Sequence, residues 1–270
     1  MQNINLIDIQ PYNYSKFKTM RTKMYIILFA MTIGTGLLSC STKEQPVEKS
    51  NIDYFVAAYI WPSCHHDERF GDMLWPEGIG EWEIIKKGTP RFEGHYQPKV
   101  PLWGYEMDDD PKVMEKWINA AVDHGVNVFI FDWYWYDGGP FLESCINNGF
   151  LKAKNNEKMQ FYVMWANHDV RRNYWNVHKF TDDTSILWDG SADFENFKII
   201  AHRIIKQYFS KSNYFKIDGK PVFHIFSPDI LVRGLGGLDK TKEALDYFRE
   251  ETKKAGFPGL HIQIRAGGGM

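Results

Sequence analysis

One segment in the middle of this chain joins an acidic residue to four consecutive aromatic residues. The apolar run Asn127–Phe131 is followed directly by Asp132, Trp133, Tyr134, Trp135 and Tyr136. Sugars carry hydroxyl groups around the ring and C–H groups on its face, so a hydrogen-bond acceptor beside flat apolar rings complements both surfaces. The segment therefore predicts a carbohydrate site at the end of a strand.

Two other apolar runs also end in polar and aromatic residues. One contains Tyr59 and leads to a loop with His65, and another ends at Trp165, followed by Asn167 and His168. Glu81 beside Trp82 and His95 beside Tyr96 lie in an aromatic segment, where packing and ligand contact are equally compatible with the pattern. The candidate substrate-binding residues are therefore Tyr59, His65, Glu81, Trp82, His95, Tyr96, Asp132, Trp133, Trp135, Trp165, Asn167 and His168.

The cluster His65–Glu68 has the residue types of a metal site but not the spacing. Adjacent histidines on a loop rarely chelate one ion together, and no second spaced pair completes a tetrahedral set. Asp108–Asp110 precedes a helical pattern, where capping explains the acids better than paired catalytic carboxylates. We therefore expect neither a metal nor a cofactor.

Composition narrows the classes of partner. The chain has 270 residues with a formal net charge of -2, which disfavours a nucleic-acid surface. Aromatic residues make up 16% of the chain, including 10 Trp, which is more than packing alone usually requires. Composition thus agrees with an oligosaccharide or polysaccharide partner.

The N-terminal segment is typical of an export signal. Basic residues between Lys16 and Lys23 precede the apolar run Met24–Leu38, and the sequence then resembles a bacterial lipobox ending at Cys40. We expect a signal peptide over residues 1–40, lipidation of Cys40, a flexible tether over 41–52, and a lipid-anchored protein of the bacterial cell envelope. A signal peptide with a chance cysteine and a plain membrane anchor are the alternatives.

From residue 53 onward, apolar strands alternate with amphipathic helices, which predicts an α/β fold with parallel strands. No Gly-rich phosphate loop follows the first strand, so a (β/α)8 barrel is favoured over a doubly wound sheet. The count is about five strands where a closed barrel needs eight, so residues 53–270 are expected to be a truncated barrel. The predicted strands are Tyr54–Ile60, Val126–Phe131, Phe161–Trp165, Tyr214–Phe226 with a turn, and Leu260–Ile264, and the predicted helices lie at 110–125, 141–153, 194–208 and 240–255.

Five motifs occur in a fixed order and carry a family resemblance. They are Gly78–Trp82, Pro90–Pro98, Phe131–Tyr136, Met164–Asn167 and Asp218–Val222. Together they resemble the glycoside hydrolase family 99-like group, whose bacterial members are often labelled WbsX-type glycosyltransferase domains. The resemblance extends from Tyr54 to Arg265 and implies a (β/α)8 barrel that processes glycans outside the cytoplasm without a metal.

The resemblance also implies a chemistry. The characterised hydrolases resemble retaining endo-α-mannosidases that use the sugar's own 2-hydroxyl, with two glutamates as base and acid. In this chain His168 stands where the family commonly has Glu, and the expected Glu pair would lie beyond Met270. We therefore expect a glycosidase domain that is inactive as this chain alone, with a glycosyltransferase and a non-catalytic glycan-binding remnant as alternatives.

Overall fold

A mainly parallel sheet with helices against it is the principal structure of residues 54–265, which are the residues described by the computed structural model. The predicted signal peptide, Cys40 and the tether lie outside the described residues. The strands are β1 (Ala57–Ile60), β2 (Val128–Tyr136), β3 (Gly139–Phe141), β4 (Gln160–Trp165), β5 (Val170–Arg171), β6 (Ile186–Trp188), β7 (Lys216–Ile217), β8 (Lys220–Ile225) and β9 (His261–Ile264). The α-helices are α1 (Gly71–Leu74), α2 (Trp82–Lys86), α3 (Pro111–Asp123), α4 (Arg172–Trp175), α5 (Phe194–Ile204), α6 (Pro228–Leu235) and α7 (Leu238–Lys254).

Five strands pair in parallel in the order β1, β2, β4, β8 and β9. This order follows the chain, with α3, α5 and α7 between successive strands, so the predicted α/β class and its five principal strands are confirmed. Two short antiparallel strands, β3 and β7, extend β2 and β8. Within residues 54–265 the sheet is open, and the outer edges of β1 and β9 pair with no other strand.

β2 shows how the sequence gives the sheet two different faces. Its nine residues are all buried, and successive side chains point to opposite sides. Phe131 contacts Phe150 in the segment after β3, with ring centroids 5.1 Å apart, so this side of the sheet is called the helix face. Asp132 and Tyr134 lie on the other side, called the inner face. The inner face therefore carries the polar residues of the strand ends.

α3 begins and ends where its sequence predicts. The Asp110 side chain accepts a hydrogen bond of 2.8 Å from the backbone N–H of Lys112, and Pro111 occupies the first turn. Gly125 follows the helix with a φ of 82°, a conformation that favours glycine. The acidic run before α3 is therefore a helix cap, as expected.

The predicted helix over residues 141–153 is irregular. A π-turn spans Cys145–Gly149 and a 3₁₀ turn spans Phe150–Lys152. The backbone passes so close to the carbonyl oxygen of Asp108 that a Cβ at Gly149 would lie 2.3 Å from it. The segment also contains two Asn and a Gly, which are poor helix formers. The close approach and the weak helix propensity together explain why a π-turn and a 3₁₀ turn stand in place of a regular α-helix.

α6 has no counterpart among the predicted helices. It is only 8 residues long and ends at Gly236, whose φ is 82°. The periodic signal of so short a segment is weak, which explains why it was missed. Within residues 54–265, no helix combines the length and the apolar character needed to cross a membrane.

Candidate functional site

A small hollow of about 140 Å³ lies at the carboxyl ends of β1, β2, β4 and β8. This is the edge of a parallel sheet at which ligands of α/β proteins usually bind. The residues that line the hollow are Trp61, Asp132, Tyr134, Met164, Ala166, His168, Tyr174 and Phe226. One carboxyl group, one imidazole and four larger aromatic rings thus surround the same space.

Asp132 is the acidic group of the hollow, and its environment is mostly apolar. Oδ1 has no hydrogen-bond partner among residues 54–265, and Oδ2 accepts a long hydrogen bond of 3.5 Å from the Tyr134 hydroxyl. Burial raises the pKa of Asp132 to about 7, and the Tyr134 hydroxyl only partly opposes this effect. The carboxyl group can therefore gain and lose a proton near neutral pH.

Glu81 is a second carboxyl group near the hollow, and it is half-buried. Its Oε2 accepts hydrogen bonds from Trp61 Nε1 at 3.1 Å and from Ser63 Oγ at 2.8 Å. Burial raises the pKa of Glu81 to about 7, although these two donors favour the charged form. Burial raises the pKa of Tyr134, and the charges of Asp132 and Glu81 raise it further, so the two acids lie near the same phenol.

The loop geometry that holds Glu81 depends on the glycine before it. Gly80 has a φ of 61°, and a Cβ there would lie 2.1 Å from the carbonyl oxygen of Ser63. The backbone N–H of Glu81 donates to that same oxygen at 2.9 Å. The Gly-Glu pair of the first motif therefore has a physical basis, because only glycine lets the two loops approach so closely.

His168 contributes a neutral ring to the hollow. Its ring centroid lies 6.2 Å from that of Tyr134, 5.9 Å from that of Tyr174 and 5.7 Å from that of Phe226. Burial lowers the pKa of His168, although the Asp169 carbonyl opposes this effect. Its Nδ1 donates to the Asp169 carbonyl at 3.2 Å, which leaves Nε2 of the neutral ring as an acceptor for a sugar hydroxyl.

Asn167, in contrast, fixes the loop rather than facing the hollow. Its Nδ2 donates to the Ser227 carbonyl at 2.7 Å, and its Oδ1 accepts from the Ser227 N–H at 2.8 Å. The next acid, Asp169, accepts two hydrogen bonds from Arg233 of α6 at 2.6 and 3.0 Å. These contacts hold His168 in place between two anchored residues.

The tryptophans at positions 133, 135 and 165 lie on the helix face. Trp133 Nε1 donates to Glu143 Oε1 at 2.7 Å, and its ring stacks on Trp135 at 5.7 Å. Trp165 packs against Phe197 of α5 at 6.2 Å. Because strand side chains alternate between faces, these three predicted contacts are turned away from the hollow and belong to the core.

His65 also lies in the interior, where it pairs with an acid just before the N-cap of α3. Its Nδ1 pairs with Asp108 Oδ1 at 2.5 Å, and both side chains are buried. Burial lowers the pKa of His65, but the Asp108 carboxylate outweighs it, so that the pKa is raised overall. This pair joins the loop after β1 to the start of α3, and His65 is not among the residues lining the hollow.

The remaining predicted residues lie on other surfaces or beside the hollow. Trp82 donates from Nε1 to the Glu106 carbonyl at 2.7 Å and lines a separate pocket. His95 lines another pocket with His178, and Tyr96 is 60% exposed in the same loop. Tyr59 is 59% exposed on the inner face, next to the hollow rather than in it.

The structure thus brings Asp132, His168 and Glu81 together and adds residues absent from the predicted set. Trp61 follows β1, Tyr134 lies two residues after Asp132, and Phe226 follows β8. The period of two along a strand was sufficient to place Tyr134 on the face of Asp132. Tyr174 carries no such signal, because it reaches the hollow from a loop helix. Within residues 54–265, no three His, Cys, Asp or Glu side chains are arranged to hold a metal ion.

Sequence and structure comparisons identify related proteins. A family model described as "Glycosyltransferase WbsX" matches residues 56–267. The uncharacterized protein WxcX of Xanthomonas campestris pv. campestris is 30% identical over 178 residues, which are 65% of this chain and 24% of that protein, in strain B100 and equally in strain ATCC 33913. The chain therefore spans about a quarter of the length of the curated relatives it matches.

Solved structures show weaker similarity. A glycoside hydrolase-like protein overlaps 83% of this chain and 54% of its own chain, with a TM-score of 0.43 and 16% identity. The GH99 endo-alpha-mannosidase from Bacteroides thetaiotaomicron overlaps 65% of this chain and 45% of its own, with a TM-score of 0.37 and 14% identity.

Proposed function

Because the chain belongs to the WbsX glycosyltransferase family, we propose that it binds a glycan in the hollow and forms part of an enzyme that cleaves glycosidic bonds. The observation that carries this proposal is the position of Asp132. Asp132 lines a hollow walled by aromatic rings at the carboxyl ends of parallel strands, and its buried Oδ1 has no hydrogen-bond partner among residues 54–265. Rings bind the C–H face of a sugar, and the carboxyl group and His168 bind its hydroxyl groups.

Protonation near neutral pH supports a role for the acids beyond packing. Cleavage of a glycosidic bond needs a group that donates a proton and a second carboxyl group that acts as base or nucleophile. Asp132 and Glu81 both have a pKa of about 7, so each exchanges protons in the pH range where such a reaction runs. In this proposal they bind and orient the sugar.

Location and reaction outcome are part of the same proposal. The basic and apolar N-terminal run and Cys40 support export and a lipid anchor in the bacterial cell envelope, where polysaccharide is degraded. Internal α-linked mannose units are the proposed target, on the strength of the sequence resemblance to endo-α-mannosidases.

Glycosyl transfer is the alternative, and the family description favours it. A transferase needs an activated sugar donor, commonly one that carries phosphate groups. The lining of the hollow contains no lysine or arginine. The lining therefore offers no side-chain cation to a donor phosphate, which makes hydrolysis the first choice.

Titration with defined α-mannan fragments and unrelated polysaccharides tests the binding proposal. Asp132→Ala and His168→Ala should each weaken binding. The effect of Asp132→Ala should be at least tenfold, because the hydrogen bond between the carboxyl group and a sugar hydroxyl is lost. Asp182→Ala, in an exposed loop, is the matched control and should bind as the wild type does. Equal affinity of all four proteins would refute the hollow as the saccharide site.

The reaction itself is tested with a form extended beyond residue 270. Release of new reducing ends from a polysaccharide indicates hydrolysis, whereas incorporation of labelled sugar from an activated donor indicates transfer. Tight binding with neither reaction would identify a glycan-binding protein.

A further inference from the structure

A histidine without a hydrogen-bond partner lies on the inner face, beyond the hollow. His224 is 7% exposed, and neither of its ring nitrogens has a partner among residues 54–265. Buried polar groups are nearly always paired, because an unpaired one has lost its hydrogen bonds to water without replacing them. The unpaired imidazole therefore indicates a ligand that supplies the missing hydrogen bonds.

The register of the sheet relates His224 to the hollow. Asp132 on β2 is the partner of Met164 on β4, and Met164 is the partner of His224 on β8. Residues in register on parallel strands point to the same face, so Asp132 and His224 share the inner face. They are two strand spacings apart, which is about 9.5 Å.

The surface between the two groups is continuous. Phe226 lines the hollow, and the guanidinium of Arg265 lies 4.1 Å above its ring. Burial lowers the pKa of His224, and the charge of Arg265 lowers it further, which places Arg265 beside the imidazole. On the opposite side, the ring of Tyr59 lies 6.5 Å from that of His224 and is largely exposed.

These groups have the chemistry of a saccharide contact. A neutral histidine offers one N–H donor and one acceptor, and Arg265 adds donors in a planar fork. The exposed Tyr59 ring provides a flat apolar surface for the face of a sugar. The hollow, at about 140 Å³, is smaller than ordinary ligand pockets of roughly 300–1,000 Å³, so a longer glycan must extend onto a neighbouring surface.

We propose that His224, with Tyr59 and Arg265, forms a second saccharide subsite, which binds the sugar unit next to the one held in the hollow. This inference rests on the proposed function and adds to it that the protein recognises at least two consecutive units. His224 is a specificity-determining residue in this arrangement, because it reads hydroxyl groups that a monosaccharide in the hollow does not present.

The test compares a monosaccharide with an oligosaccharide on the full chain. Mannose and α-linked mannotriose are titrated into the wild type, His224→Leu and Asp132→Ala. We expect His224→Leu to weaken mannotriose binding by roughly tenfold and mannose binding much less, since one buried hydrogen bond to the second unit is lost. His124→Leu, at the exposed end of α3, is the matched control and should change neither affinity.

The outcomes separate this proposal from the one it rests on. If Asp132→Ala weakens binding of both sugars and His224→Leu weakens neither, the second subsite is refuted and the hollow stands. If the wild type binds no sugar, both proposals fail. Imidazole ¹⁵N resonances give a readout that does not need the variant to fold: the His224 signals should shift with mannotriose and remain unchanged with mannose, and unchanged signals with both sugars would also refute the subsite.

Discussion

Trp61 and Glu81 are joined by a hydrogen bond of 3.1 Å from the indole Nε1 to Oε2 of the carboxyl group. Trp61 also lines the hollow, and its ring lies 6.3 Å from that of Tyr134. The indole thus connects a half-buried acid to the wall of the proposed saccharide site. Binding of a sugar against Trp61 will therefore affect the protonation of Glu81.

Replacement of Trp61 by Phe tests this connection. The ring face remains but the N–H donor is lost, and this donor favours the charged carboxylate, so the pKa of Glu81 should rise above about 7. Carboxyl ¹³C chemical shifts followed against pH provide the measurement. Trp103→Phe, on a separate pocket, should leave the titration unchanged. An unaltered Glu81 titration in Trp61→Phe would contradict the contact.

Asp132 should make stability depend on pH. Its pKa is 3.8 in an unperturbed state and about 7 in the fold, so the folded protein retains a proton that the unfolded chain has lost between these values. The free energy of unfolding contributed by this group therefore falls as the pH rises through that window. Asp132→Asn removes the cost of burying an ionised carboxylate. The free energy of unfolding of this variant, relative to that of the wild type, should therefore increase from pH 5 to pH 8 by on the order of 2 kcal/mol.

Urea denaturation of both proteins at the two pH values measures this difference. The expected difference is smaller than the full shift in pKa would give, because water partly reaches the carboxyl group. A constant difference across the two pH values would show that Asp132 titrates normally.

Trp133→Ala should behave as a core substitution. The indole is 1% exposed, stacks on Trp135 and hydrogen bonds to Glu143, so its loss leaves a cavity and a buried acceptor with fewer donors. We expect a loss of about 3–5 kcal/mol in the free energy of unfolding, measured by urea denaturation. Saccharide affinity per folded molecule should be unchanged. A selective loss of affinity in a stable variant would show that Trp133 contacts the sugar.

Gly80→Ala should be far more damaging than Gly94→Ala. Both glycines have positive φ values, 61° and 78°, so the backbone strain of an added Cβ is similar. Only at Gly80 does the new Cβ meet a neighbour, at 2.1 Å from the Ser63 carbonyl, whereas nothing lies within 4 Å at Gly94. Gly94→Ala should cost about 1 kcal/mol and Gly80→Ala several times as much in thermal or urea unfolding. Similar losses would mean that the loop carrying Glu81 adapts freely.

The sequence was sufficient for the fold class and for placing Asp132 and His168 at the same edge of the sheet. Apolar runs bounded by Asp110, Gly125 and Gly256 predicted the strands and long helices, and the family match over residues 56–267 covers all five motifs, which confirms the resemblance. Asp132 and His168 were correctly placed at one edge because parallel strands all end there.

The sequence did not reveal which face of each strand lies toward the hollow. Asp132 and Trp133 are adjacent in the chain, but the alternation of a strand sends one to the hollow and the other to the helix face. His65 and Asn167 looked available for a ligand, yet Asp108 and the backbone of Ser227 bind them. Such partners are distant in sequence, by 43 and 60 residues, and only the folded chain brings them together.

The unpaired borders of β1 and β9 have a practical consequence for handling the protein. An edge strand presents unpaired backbone N–H and C=O groups, which readily form hydrogen bonds with a strand of another molecule. A preparation limited to residues 54–265 should therefore self-associate as its concentration rises. Light scattering over a dilution series would detect this.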